Sequence, residues 1–258
     1  MSDNSKKNGS DKDRDEEGGG GNVTKFPSDV RDRQQYYKEK QLKDNPPPEE
    51  KPPHEPMFNF PPLTKMTVVA LFAVHVVFLF VPDQIKMAVY VSLGFIPARY
   101  TGGMDFDIYA VLSPLTHMGL HVGWLHLFVN SGMILVFMTI LERIMDKSHV
   151  LIIFFVAGII GAFTHFAFYP DSFGPLIGAS GGVSGLFGAV IVIMGNQPGA
   201  SRRQMYLLIG IWVAISVLFG TVGMGDVENI AWTAHIGGMF GGIGAFAYLR
   251  KKYYKYKE

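Results

Sequence analysis

The chain contains no cysteine. That excludes disulfides, thiolate zinc sites, iron–sulfur clusters and a cysteine nucleophile, and it leaves the redox compartment unreadable. Charge is scarce too: Asp, Glu, Lys and Arg are 17% of the 258 residues against 48% hydrophobic, a balance that does not suit one soluble globule. The scarcity is local. Residues 1–62 hold 11 of the 23 Lys and Arg, whereas charge-free intervals cover 66–82, 87–98, 108–141, 150–170, 172–201, 204–225 and 229–249. The formal net charge of +1 comes from basic residues scattered among acids. No nucleic-acid-binding motif accompanies them, so nucleic acid is set aside as a partner.

Residues 1–56 combine charged runs, the Gly18–Gly21 tract and the prolines Pro46, Pro47, Pro48, Pro52 and Pro53. Such a segment lacks the apolar content for a core and reads as a disordered polar tail. The first apolar stretch begins only after Lys65, too late for a cleavable secretory signal, so the first span is expected to serve as an uncleaved anchor. Crossing the hydrocarbon takes ~20 mostly apolar residues. The interval 87–98 is therefore too short and is placed as an interfacial segment in a long first loop. The interval 108–141 accommodates a loop and one helix starting near His121. Six spans remain, within a core of 57–250 followed by a basic tail, 251–258. Arg143 and Lys147, Arg202 and Arg203, and the cluster Arg250, Lys251, Lys252, Lys255 and Lys257 fall on one side of the spans. The excess of Lys and Arg marks that side as cytoplasmic, with both termini there and the loop holding Asp226 and Glu228 opposite.

Polar groups collect at one level of this core. The fourth span runs from Ser180 to Asn196, which is ~24 Å of helix against a hydrocarbon core of ~30 Å. It cannot reach the outer surface, and the loop 171–179 must descend to meet it. Backbone without helical bonds is tolerated at such depth only where it is buried in protein or faces internal water. Measured from the inner border, His126 and Asn130 of span two and His235 of span six lie at heights of ~24, ~18 and ~22 Å. A hydroxyl, an imidazole able to take its proton and two side-chain donors thus share one depth, where polar groups mark function or a buried pairing. Gly238 and Gly242 lie on the face of span six that carries His235. They predict a close crossing with Gly181, Gly182, Gly185 and Gly188 of span four, and that crossing would bring His235 within reach of Ser180, activating an otherwise weak nucleophile.

These residues resemble the rhomboid intramembrane proteases in three motifs: His121-x4-His126-x3-Asn130, Gly178-Ala179-Ser180-Gly181 and Ala234-His235-x2-Gly238-x3-Gly242. The likeness covers the six-span core, about 63–250. It implies an all-α polytopic membrane protein, a six-transmembrane-helix rhomboid-like bundle, acting as a serine endopeptidase with a Ser180–His235 catalytic dyad. It also implies an oxyanion hole of His126, Asn130 and the Ser180 backbone N–H, with His121 mainly structural. The implied substrates are transmembrane segments of other membrane proteins, admitted beside span five, where Trp212 and Phe219 lie. No cofactor and no metal are implied, and the compact plan suggests a bacterial inner membrane with the site in the outer half of the bilayer. Two positions depart from the family pattern. Leu112-Ser113 stands where many relatives have Trp-Arg, and Ser184 stands where many have an aromatic ring stacked on the base.

Other readings of the same residues are weaker. Ser184 is the rival nucleophile, but it lacks the position at a helix start where the dipole and free N–H groups help an oxyanion. His75 and His165 read as satisfied core histidines, and His54 and His149 as solvated. His117 and His121 are four apart yet have no acidic neighbour, and no His-Glu-x-x-His occurs, which speaks against zinc. Gly178–Gly182 fits the Gly-x-Ser-x-Gly elbow, with Ser180, Asp226 and His235 in hydrolase order, but that elbow needs a sheet. An inactive client-binding relative would be expected to lack nucleophile or base. A small transporter would be expected to show broken helix pairs or charged coupling groups.

Overall fold

A computed structural model of the chain describes residues 29–45, 59–222 and 231–253. The tail readings for 1–28, 46–56 and 254–258, with His54, Asp226 and Glu228, lie outside the described residues. Among the described residues the regular structure is helical, apart from one isolated antiparallel bridge between Phe95 and Leu176. The chain divides into two units, Met1–Met57 and Phe58–Glu258.

In the first unit, α1 (Val30–Asp44) occupies part of the segment read as disordered. Asp29 caps it by accepting from the Arg31 backbone N–H, and Gln35 donates to Glu39 one turn on. A run rich in Lys, Gln and Glu has the propensity and the i,i+4 pairs to hold a helix without a core. The missing apolar content still shows, because no residue of α1 is buried.

The second unit holds α2 (Pro62–Leu79), α3 (Asp83–Leu93), α4 (Ile108–Thr116), α5 (Gly123–Glu142), α6 (Lys147–Phe168), α7 (Ser180–Gly195), α8 (Arg202–Val222) and α9 (Trp232–Tyr253). Helices α2, α5, α6, α7, α8 and α9 correspond to the six expected spans, while α3 and α4 belong to the long first loop. By length and apolarity α2, α5 and α6 suffice to cross a membrane, and α7, with 16 residues, is the short one. Helix α2 turns Met66, Val69, Val77 and Phe80 outward, an apolar surface suited to lipid rather than water.

The short helix is the centre of the bundle. Every residue of α7 from Gly181 to Ile191 is buried, and α7 packs against α5, α6, α8 and α9. Aliphatic side chains such as Leu127, Ile134, Met138, Ile153 and Leu186 fill the space around it. Helix α9 approaches α7 so closely that only glycine fits. A Cβ on Gly238 would land on the Gly181 carbonyl, and one on Gly242 on the Gly185 backbone. Gly188 meets Met239 of the same helix. Gly182 differs from the expected strip: it points to Met118 and Phe154, since one residue along a helix is ~100° around it.

Glu142 ties the bundle at its other end. An anion at the C-terminus of α5 opposes that helix's dipole, but the carboxylate accepts from the backbone N–H groups of Leu63 and Thr64 and from the Thr64 hydroxyl, at 2.8–2.9 Å. It thereby caps the N-terminus of α2. Glu142→Ala should lower stability by about 2–4 kcal/mol, because charge-assisted hydrogen bonds contribute ~1.5–3 kcal/mol each and these are only partly buried. Unfolding in detergent measures it; a loss below ~0.5 kcal/mol would show that water replaces the carboxylate there.

The first loop is held by polar contacts as well as by buried apolar residues such as Phe95 and Ile96. The Arg99 guanidinium, 4% exposed, donates to the carbonyls of Val91 and Ser92 in the last turn of α3. Thr116 donates to the Leu93 carbonyl at 2.7 Å. Three helix-terminal carbonyls that would otherwise lack partners are thus satisfied.

Candidate active site

Ser180 is the first residue of α7, and the segment before it is tied to the first loop by backbone hydrogen bonds. Phe95 and Leu176 exchange two hydrogen bonds at 2.8 and 3.0 Å, Ala98 N–H donates to the Ser172 carbonyl, and Gly178 N–H donates to the His117 carbonyl at 2.9 Å. Gly178 has φ +119°, a conformation open to glycine and strained for other residues. The chain can therefore drop into the bundle and turn into α7 within two residues.

His117 fixes the far side of this contact. Its Nδ1 lies 2.9 Å from the Ser113 carbonyl, and burial pushes its pKa down to about 4. The ring is neutral at pH 7, so Nδ1 carries the proton and donates.

Above Gly178 stand the two donors of α5. A Cβ on Gly178 would come within 2.7 Å of His126 Cε1 and Nε2 and 3.9 Å of Asn130 Nδ2. Both side chains therefore point at the residue two before Ser180. Asn130 is buried and donates to the His126 carbonyl at 3.1 Å, one helical turn back. An amide nitrogen has two hydrogens, so one bond locks the side chain and leaves a second donor. Gly178→Ala should lower turnover by more than ~10²-fold, since misplacement by about 1 Å at a reacting centre can cost that much. The check is initial rate at saturating substrate.

His235 lies on α9 at the crossing. Its neighbours Thr233 and Ala234 are buried. A Cβ on Gly161 of α6 would sit 2.6 Å from the Ala234 carbonyl, and one on Gly181 of α7 3.7 Å from it. Gly181, one residue after Ser180, thus faces α9 at Ala234, one residue before His235, and at Gly238, three residues beyond it. Ser180, His126 and His235 are each half-buried, whereas Asn130 and Ser184 are buried.

Ser184 is fully buried, and its hydroxyl donates to the Ser180 carbonyl at 2.8 Å. This is i to i−4 back-bonding inside a helix. Its hydrogen is committed to the backbone of the residue it rivals. His165, expected as a satisfied core histidine, has a partner, with Nδ1 3.0 Å from Thr233 Oγ1, but is only half-buried. His75 differs from that expectation, because its Nδ1 is buried with no hydrogen-bond partner in the protein. Among the described residues no group of three His, Asp or Glu is arranged to hold a metal.

A family model for the rhomboid domain matches residues 110–252, more than half of the chain. The chain belongs to the rhomboid family. It is 35% identical over 137 residues to the rhomboid protease GluP of Bacillus subtilis (strain 168), an overlap covering 52% of this chain and 25% of GluP. It is 32% identical over 146 residues to YdcA of the same bacterium, to which the rhomboid-protease name is given provisionally; that overlap covers 55% of this chain and 69% of YdcA. The chain thus spans about a quarter of GluP and about two thirds of YdcA. As a rhomboid-family chain with several long apolar helices, it is an integral membrane protein. The expected likeness began near residue 63, whereas the rhomboid model begins at 110, so α2 and α3 stand outside the matched interval.

The two departures from the rhomboid pattern have structural counterparts. Where Trp-Arg is usual, Leu112 is exposed and Ser113 is buried, its carbonyl receiving His117. The buried guanidinium of the first loop comes instead from Arg99, which no motif flagged because its partners are backbone carbonyls. At the other departure, Ser184 provides no ring to stack on His235, and the close glycine contacts of α6 and α7 hold that part of α9.

Proposed function

We propose that the chain is an intramembrane serine endopeptidase that cleaves transmembrane segments of membrane proteins with a Ser180–His235 dyad. The observation that carries this reading is the glycine crossing of α7 and α9, which sets the backbones flanking Ser180 and His235 against one another. Membership of a family whose relatives are named proteases supports it.

In this mechanism His235 accepts the Ser180 proton as Oγ forms a bond to the scissile carbonyl carbon. Negative charge moves to the carbonyl oxygen, where His126, Asn130 and the Ser180 backbone N–H donate. Each such donor contributes ~2.7–4 kcal/mol in a soluble protease. The C–N bond then breaks, and the imidazolium returns its proton to the leaving amine. A water molecule, deprotonated by His235, next attacks the acyl carbon; the acyl C–O bond breaks and the imidazolium returns the proton to Ser180 Oγ. His121 supports the span-two donors, and Gly238 and Gly242 support the crossing. The helix N-terminus at Ser180 adds a favourable dipole for the oxyanion.

The reading places the catalytic core at 57–250, flanked by the polar segment 1–56 and the basic segment 251–258 on the cytoplasmic side. The dyad sits in the outer half of a bacterial inner membrane, and the lipid bilayer itself is the medium through which a substrate arrives.

The experiment is cleavage of a labelled transmembrane substrate in proteoliposomes by wild type, His235→Ala and Ser184→Ala. His235→Ala should lose cleavage. Ser184→Ala should keep it within about threefold, because the lost bond is one neutral hydrogen bond of ~0.5–1.5 kcal/mol to the backbone. Full activity of His235→Ala, or loss with Ser184→Ala alone, would overturn the assignment.

A further inference from the structure

Two imidazoles, His121 and His126, meet at the start of α5, and a third, His75 of α2, lies within electrostatic range of His121. His121 lies just before α5 and is 3% exposed, with both ring nitrogens buried and without a hydrogen-bond partner in the protein. The Gly119 carbonyl is beside the ring but outside hydrogen-bond geometry. The His121 and His126 rings meet edge to face with centroids 5.0 Å apart, and His126 Nδ1 is likewise buried and unpartnered. On α2, His75 is 8% exposed, packs on the Trp124 ring at 4.6 Å and leaves Nδ1 without a partner.

Four orphaned nitrogens on three histidines, two of them in ring contact, are unusual, because buried polar groups almost always find partners. His117 and His165 in the same bundle do. A neutral imidazole has one donor and one acceptor nitrogen, so the cluster presents both kinds. The ligand that satisfies donors and acceptors in a small buried space is water, which typically makes about three hydrogen bonds there. The consequence falls on His126. Which nitrogen of a histidine holds the proton is set by the bond the other one makes. His126 Nε2 faces Gly178 and the start of α7; it can donate to an oxyanion only if Nδ1 is an acceptor.

We propose that His75, His121 and His126 Nδ1 bound a buried water-binding site whose occupant donates to His126 Nδ1 and so keeps the His126 proton on Nε2. The inference rests on the oxyanion role proposed for His126. His75 and His121 are positioning residues in it, and neither touches substrate. His75 lies on α2, outside the interval matched by the rhomboid model.

The test uses the full chain labelled with 15N-histidine in detergent micelles, with the His126 signals assigned by difference against His126→Asn. In wild type, His126 Nδ1 should be the unprotonated, hydrogen-bonded nitrogen and Nε2 the protonated one. Protonation at Nδ1 would overturn the proposal without recourse to any variant. His75→Phe should shift the His126 Nδ1 signal and lower kcat about tenfold with KM within about twofold, short of the ~10²–10³-fold that losing an oxyanion donor outright costs. His75→Gln, which can still bond water, should recover most of kcat. An unmoved Nδ1 signal in His75→Phe, or a His75→Gln as impaired as His75→Phe, counts against the site. Failure of the underlying reading is seen separately, as cleavage that survives Ser180→Ala.

Discussion

Ser180→Ala should reduce cleavage of a transmembrane substrate by on the order of 10⁴–10⁶-fold, the scale on which serine proteases respond to loss of the nucleophile. In the proposed mechanism the hydroxyl forms the covalent intermediate, and the alternative hydroxyl one turn away is committed to a backbone bond. Because Ser180 opens α7 and is only half-buried, removing one oxygen leaves the packing of Gly181–Ile191 untouched. The protein should therefore keep its unfolding midpoint in detergent while losing turnover. A joint loss of both would mean that Ser180 is a packing residue. Residual cleavage should also be unaffected by adding His235→Ala, since residues that act as one unit are strongly non-additive.

The second large effect is expected from a single methyl group. Gly242→Ala puts a Cβ onto the Gly185 backbone, and because the contact is backbone rather than a flexible side chain, α9 must move away from α7. Separation by about 1 Å at the dyad can cost ~10²-fold in rate, and the forced repacking costs about 1–3 kcal/mol of stability. Gly244→Ala is the control on the same helix. Nothing lies within 4 Å of its added Cβ, so the change should leave activity intact and stabilise the helix by ~0.5–1 kcal/mol. Equal activity of the two variants would mean that the crossing does not set the dyad. Rates and unfolding midpoints measured on the same preparations separate the two contributions.

Much of this architecture is legible in the sequence because a bilayer makes charge a ruler. Leu141-Glu142-Arg143 marks the end of α5, and the interval from Ser180 to Asn196 gives α7 its length to within a residue. The short helix follows from counting. The pairing of α7 with α9 is legible for a different reason: glycines four apart on two helices leave little else for those faces to do. Gly181 with Gly238 and Gly185 with Gly242 follow that rule.

What the sequence hides is pairing between distant backbone groups. Glu142 caps α2 from 78 and 79 residues away, and nothing local distinguishes it from an ordinary border charge. The bridge between Phe95 and Leu176 joins two loops with no strand pattern to announce it. Arg99 belongs to the same class, a lone cation in a loop whose partners are carbonyls common to every residue. His75 misleads in the opposite sense: a lone histidine on an apolar span reads as satisfied core until the rings of α5 are placed beside it. The helix α1 shows that a polar segment without a core can still be helical when it is capped and its polar side chains bond along one turn.

The central claim is that one hydroxyl, at the start of the short helix, is activated by one imidazole across the glycine crossing. A fluorophosphonate probe, followed by mass mapping of the modified peptide, addresses it without a substrate. The adduct should lie on Ser180, and His235→Ala should slow its formation by at least ~10²-fold, the lower end of what general-base assistance contributes. An adduct on Ser184, no adduct at all, or labelling of Ser180 at an unchanged rate in His235→Ala would contradict the account.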